Sequence, residues 1–285
     1  MNSLLKFKKN TSSPIILSFP HSGRNYKNTF MEQSNVDYFE LRDTEDAFLD
    51  EIYSKVIEKN FSYIFSDIPR CFIDLNRTRN EMTYDNFLET SKKYLLNETS
   101  LAKSGFGVIH TNTNRGNKIY KNKLDLNTYE DRLIKYYDPW YERLSLIIND
   151  LKKIHKNVLL IDCHSMPSFS YSLEKKDSFD FVIGDFHGKT CSREIKNFIF
   201  RYFEKSNYTF SFNYPYAGQN IIKNFSSLDY GISAIQLEVN KRLYMNEKEV
   251  TPYSDNTKII HFLYDFIKQL KDFMASLNEN KMAAE

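Results

Sequence analysis

Three short apolar runs constrain this chain more than any other feature. They are Ile15-Ile16-Leu17-Ser18-Phe19, Val158-Leu159-Leu160-Ile161 and the stretch from Ile232 to Val239. Each is too short for a buried helix and is bounded by turn or polar residues, so each reads as a buried strand. Tyr63-Ile64-Phe65, Cys71-Phe72-Ile73, Phe179 to Ile183 and Tyr208 to Phe212 read as further strands. Between them the spacing turns helical. Phe48, Leu49, Ile52, Tyr53 and Val56 follow Thr44-Glu45-Asp46, which predicts a helix with an acidic first turn. Tyr129 to His155 is helical, with Asp138-Pro139 expected to break it into two helices. Arg193 to Phe203 and Thr257 to Leu277 are helical too. Strands alternating with helices along the whole length predict an α/β layer structure. No repeat or linker divides the sequence, so residues 1–285 read as one domain. The polar, glycine-containing stretch 80–127 is expected to form a long loop or lid.

Composition excludes several classes of function. A chain of 285 residues buries a large core without needing disulfides or a structural metal. Its 39 basic and 37 acidic residues leave a net charge of +2, too little to draw in nucleic acid or an anionic membrane. Lys6, Lys8 and Lys9 precede polar Asn10, Thr11 and Ser12 rather than an apolar signal core, and no apolar run approaches the roughly 20 residues of a membrane span. Cys71, Cys163 and Cys191 are scattered and odd in number, as expected of reduced thiols. The expectation is a soluble cytoplasmic protein. No Walker loop, GxGxxG turn or Gly-x-Ser-x-Gly elbow is present, which removes the nucleotide and serine-hydrolase readings.

Chemistry is expected just beyond the carboxyl ends of the strands, where α/β sheets build their sites. Phe19-Pro20-His21-Ser22-Gly23 and Asp162-Cys163-His164-Ser165-Met166 each present a histidine directly after a strand. Two histidines with one carboxylate would make a three-ligand zinc site with an open position for water. Taken singly, each histidine reads first as a loop residue satisfied by hydrogen bonds; only together with Glu238 and Asp162 does the metal reading draw level. Asp162 is placed to orient a ligand. Asp46 is the candidate third ligand, with Glu45 beside it, although acids at a helix start also serve the helix dipole. In the last strand Ile235, Leu237 and Val239 alternate with Gln236, Glu238 and Asn240, which sends the polar set to one face. A carboxylate on so apolar a sheet needs a partner or a task, so Glu238 is the candidate general base. Arg77, after Ile73-Asp74-Leu75-Asn76, could grip a carboxylate or a developing oxyanion, or form a surface ion pair.

In order along the chain, these segments resemble the N-formylglutamate amidohydrolase family. The matching pieces are Phe-Pro-His-Ser-Gly at 19–23, Arg-Asp-Thr-Glu-Asp at 42–46, Phe-Ile-Asp-Leu-Asn-Arg at 72–77 and Asp-Cys-His-Ser-Met at 162–166. Gly-Asp at 184–185, Asn-Tyr-Pro-Tyr-Ala-Gly at 213–218 and Gln-Leu-Glu-Val-Asn at 236–240 continue the set. The resemblance implies a three-layer fold similar to the zinc carboxypeptidases, with a mixed, largely parallel sheet flanked by helices. It implies one zinc ion held by His21, His164 and Asp46, with Glu238 as base and Arg77 as its catalytic companion. Asn76, Arg77, Ser22, Tyr216, Gly218 and Asn240 would bind substrate. The implied substrate is a small acidic N-acyl amino acid such as N-formylglutamate, cleaved to glutamate and formate. A metallopeptidase or γ-glutamyl polymer hydrolase, or a non-catalytic binder of acidic metabolites, are the alternatives. Tyr214, Gln219, His110 and Thr111 depart from the family's pattern in the expected substrate loops, so the acyl group or amino acid could differ.

Overall fold

The computed structural model describes residues 5–59, 61–89, 95–168 and 178–280. The chain falls into two compact units, each assembled from three separate stretches. The first comprises residues 1–6, 20–47 and 65–144, and the second residues 7–19, 48–64 and 145–285.

A mixed seven-stranded sheet is the framework: β1 (Leu5–Lys8), β2 (Ile15–Phe19), β3 (Ser62–Ser66), β4 (Val158–Met166), β5 (Phe181–Gly184), β6 (Phe210–Phe212) and β7 (Ile232–Asn240), in the order β1-β3-β2-β4-β7-β5-β6. β2, β4 and β7 lie side by side and parallel, while β5 runs antiparallel to β7 and parallel to β6. Every residue of β2 and β4 is buried, which explains why their sequences are apolar runs rather than alternating patterns. Helices flank the sheet. Arg193–Glu204 begins at Ser192, whose Oγ accepts the Ile195 amide, and it buries Ile195, Ile199 and Phe203 at a four-residue spacing. The C-terminal helix Thr257–Asn280 buries Ile259, Leu263, Phe266, Ile267, Leu270 and Met274 and packs on Ser54–Glu58 and Arg193–Glu204. Among the described residues no helix is long and apolar enough to cross a membrane. Cys71, Cys163 and Cys191 are free and buried.

Three local expectations are corrected. The helix expected to open at Thr44-Glu45-Asp46 starts at Leu49, because Phe48 adopts a left-handed φ of 62° that no helix continues through. Cys71-Phe72-Ile73 is not a strand: the Phe72 and Ile73 amides both bond to the Pro69 carbonyl and wind the triplet into a turn. A three-residue apolar run carries too little period to tell the two apart. The long helix is not broken at Pro139. Leu126–Arg132 passes through one π-turn, Leu133–Tyr137, into Asp138–Lys152, and the Asp138 amide reaches back five residues to the Leu133 carbonyl. The wider turn sits immediately ahead of the residue that lacks an N–H.

Candidate active site

In the second unit, register places the polar residues of three neighbouring strands on one face. Ser18 lies beside Asp162, Asp162 beside Gln236, and His164 beside Glu238. Register partners in a parallel sheet project to the same side, and residues two apart on a strand share a face. Side-chain hydrogen bonds join them. Ser18 Oγ donates to Asp162 Oδ1 at 2.7 Å, and His164 Nε2 lies 2.7 Å from Asp162 Oδ2. In that bond the carboxylate oxygen accepts and Nε2 donates, which leaves Nδ1 as the nitrogen turned away from Asp162. Gln236 Nε2 donates to Glu238 Oε1 at 2.7 Å. His164 and Glu238 are 3% and 5% exposed, so little water competes with these bonds.

The same arrangement recurs independently in the first unit. His21, following β2, has Nε2 2.7 Å from Asp74 Oδ1 and Nδ1 3.4 Å from Asp46 Oδ2. Asp46 reaches this position from the bend before Phe48, with its amide bonded to the His21 carbonyl. Glu45, the neighbouring carboxylate, turns elsewhere: it accepts from Tyr26 Oη at 2.7 Å and faces Arg42 Nε at 3.4 Å. Burial pushes the Glu45 pKa up, against the opposing pull of Tyr26 and Arg42.

Asp74 is the hub of this unit. Its Oδ1 also accepts the Asn76 amide at 2.8 Å, while Oδ2 takes Arg70 Nε at 2.9 Å and His110 Nε2 at 3.0 Å. Complete burial works to raise its pKa, but His21, Arg70, Arg77 and the His110 hydrogen bond outweigh it and hold the carboxyl well below its usual range. His110 pays the opposite cost, and burial lowers its pKa to about 4 despite Asp74. Neither Asp74 nor His110 stands out in sequence. Asp74 sits inside a motif read for its arginine, and His110 lies in a glycine-containing loop without period.

The remaining candidates are placed as follows. Arg77 is buried, 7% exposed, and donates through Nε to the Phe106 carbonyl at 2.9 Å, so it is not a surface ion pair. Its backbone is held from the long helix: Tyr137 Oη donates to the Arg77 carbonyl at 2.7 Å and Tyr141 Oη to the Leu75 carbonyl at 2.8 Å. Asn76 is buried beside it. Ser22 is also buried, and its hydroxyl finds no hydrogen-bond partner among the described residues. Tyr216 is half-buried in the loop between β6 and β7, and Gly218 in that loop holds a φ of +100°. Asn240 has a structural task, donating to the Phe179 carbonyl at 2.9 Å and accepting the Arg242 amide at 3.1 Å.

The chain is similar in sequence and in fold to known proteins. The chain is 22% identical over 259 residues to an N-formylglutamate deformylase of Pseudomonas putida, covering 90% of each chain. Its fold is similar to that of the N-formylglutamate amidohydrolase from Ralstonia eutropha, with a TM-score of 0.88, 24% identity, and 95% and 98% of the two chains covered. A gene product of Agrobacterium tumefaciens is similar at a TM-score of 0.66 and 15% identity, over 93% and 94% of the chains. The family profile described as N-formylglutamate amidohydrolase matches residues 13–245, and the chain therefore belongs to the N-formylglutamate amidohydrolase family.

Proposed function

We propose that this hydrolase is zinc-dependent, that His21, Asp46 and His164 hold one ion, and that it releases formate from an N-formyl acidic amino acid, with N-formylglutamate the first candidate. The three side chains are buried, and each offers a donor atom of a kind that zinc takes. One observation carries the metal reading: the 3.4 Å between His21 Nδ1 and Asp46 Oδ2. With Nε2 turned to Asp74, Nδ1 faces a carboxylate oxygen at a distance too long for a charge-assisted hydrogen bond. Bond lengths of about 2.0–2.1 Å to nitrogen and 2.0–2.2 Å to oxygen, at a tetrahedral angle, put two zinc ligands about 3.4 Å apart. Histidine and carboxylate donors also suit zinc better than calcium or magnesium. Bound there, the ion would supply an acidified water and polarise the formyl carbonyl.

The protein's own groups have the remaining tasks. Asp74 and Asp162 fix the proton of His21 and His164 on Nε2, so each imidazole presents Nδ1. Glu238 takes the proton of the attacking water and returns it to the departing amine. The Arg77 guanidinium stabilises the developing oxyanion or clamps the substrate carboxylate. Ser22, Asn76, Tyr216 and Gly218 are assigned to substrate. Metal content and formate release, measured on one preparation of wild type and Glu238→Gln, test the scheme. The variant should retain about one zinc per chain and lose at least about a hundredfold in turnover. Loss of the metal would make Glu238 a ligand, and full activity with metal would place the base elsewhere. Wild-type protein that releases no formate from N-formylglutamate would rule out that substrate.

A further inference from the structure

Glu238 is not held by the sheet alone. Gln236, two residues earlier on β7 and 3% exposed, sits between it and the loop that leads out of β6. The Gln219 backbone amide donates to Gln236 Oε1 at 3.0 Å, and Gln236 Nε2 donates to Glu238 Oε1 at 2.7 Å. The orientation of this amide is settled by its neighbours. A backbone N–H can only donate, so the oxygen must face Gln219, which leaves the NH2 for the carboxylate. Glu238 therefore has one oxygen committed to a buried neutral donor, and its other oxygen is aimed by that bond.

The loop at the far end of this relay carries Tyr216 and Gly218, and it is secured at its start as well. Asn213 exchanges two hydrogen bonds with Asp185, its Nδ2 donating to Oδ1 at 2.6 Å and its Oδ1 accepting the Asp185 amide at 3.0 Å. Lys196 Nζ holds the other Asp185 oxygen at 2.6 Å, and the Phe186 amide donates to the Ala217 carbonyl at 2.8 Å. Gly184 lets the loop lie directly on β5, since a Cβ there would fall 2.7 Å from the Ala217 carbonyl carbon and the Gly218 nitrogen. The loop is thus pinned at one end to Asp185 and at the other to the glutamine that holds Glu238.

We propose that Gln236 is a positioning residue, fixing the Glu238 carboxylate and tying its placement to the loop that carries Tyr216 and Gly218. The proposal rests on the reading of Glu238 as the base. Gln236→Met keeps the length and volume but removes both hydrogen bonds. Because Asp185 and the Phe186–Ala217 bond still hold the loop, KM for N-formylglutamate should move less than about threefold. Misplacing a base costs on the order of 10- to 100-fold, so kcat should fall by that amount. Gln236→Asn keeps a buried amide that no longer reaches both partners, and it should show the same split if the methionine variant folds poorly. Thermal unfolding checks each preparation. The deciding measurement is the double variant: if Gln236 works through Glu238, adding Gln236→Met to Glu238→Gln should lower formate release by less than about twofold. An equal fractional loss in both backgrounds, or a change in KM alone, would overturn the positioning role while leaving the base reading intact. Full activity in Glu238→Gln by itself would remove both.

Discussion

Asp74 shows how much of this site rests on hydrogen bonds among its own buried residues. A single buried carboxylate receives His21, His110, Arg70 and the Asn76 amide, and so sets the tautomer of one proposed ligand and the start of the Asn76-Arg77 segment together. Asp74→Asn keeps the shape but halves the accepting capacity, which should weaken zinc about 10- to 100-fold in competition with a chelator. Wild-type affinity in that variant would mean His21 is oriented by something else. His110 adds a pH signature. Its pKa is lowered to about 4 in the fold, against 6.5 when exposed, so the unfolded chain binds this proton more readily than the folded one. Its contribution is complete above about pH 6.5 and is lost as pH falls toward about 4. Urea midpoints measured with chelator present, so that metal release plays no part, should drop across that window. His110→Gln, which can still donate to Asp74 but does not titrate, should drop less, and an identical slope in both proteins would show that His110 is not the group. Strand ends and two-residue alternation mark out His21, His164, Glu238 and Asp162 as candidates in the sequence. Asp74 and His110 are not marked out, since 36 residues separate them and only the irregular loop brings them together.

The elements that were legible are those whose burial leaves a period or a run. β2 and β4 are buried throughout and β7 in all but its first residue, and helices Arg193–Glu204 and Thr257–Asn280 carry one apolar stripe each, so sequence alone locates them. What escaped were single backbone choices: the left-handed Phe48, the turn wound on the Pro69 carbonyl and the π-turn ahead of Pro139. Each is a matter of backbone geometry that side-chain hydrophobicity does not report. The loop between β6 and β7 is of this kind, and Gly184 is the point where it can be tested. Gly184→Ala places a methyl against backbone rather than against a flexible side chain, so the loop must lift from β5. KM for N-formylglutamate should rise on the order of tenfold with the protein still folded. An unchanged KM would show that this loop does not meet the substrate.

At the scale of the molecule, no boundary in composition marks the two compact units because each is threaded from three stretches of chain, and a linker is never needed. The proposed ligands share that dispersal, lying at positions 21, 46 and 164. An unfolded chain offers no such preformed set, so an ion held by all three stabilises the native state by RT ln(1 + [M]/Kd). At free zinc a hundredfold above Kd this is about 2.7 kcal/mol, and for a chain of this size each kcal/mol moves the midpoint by about 2–4 °C. Chelation should therefore lower the melting temperature of wild type by about 5–10 °C, and added zinc should restore it. His21→Ala and His164→Ala provide the controls. Each loses one donor and should melt at the same temperature with or without chelator, whatever its intrinsic stability. A wild type indifferent to chelator would separate zinc from this donor set. A zinc-dependent shift that survives in both alanine variants would place the ion at other residues.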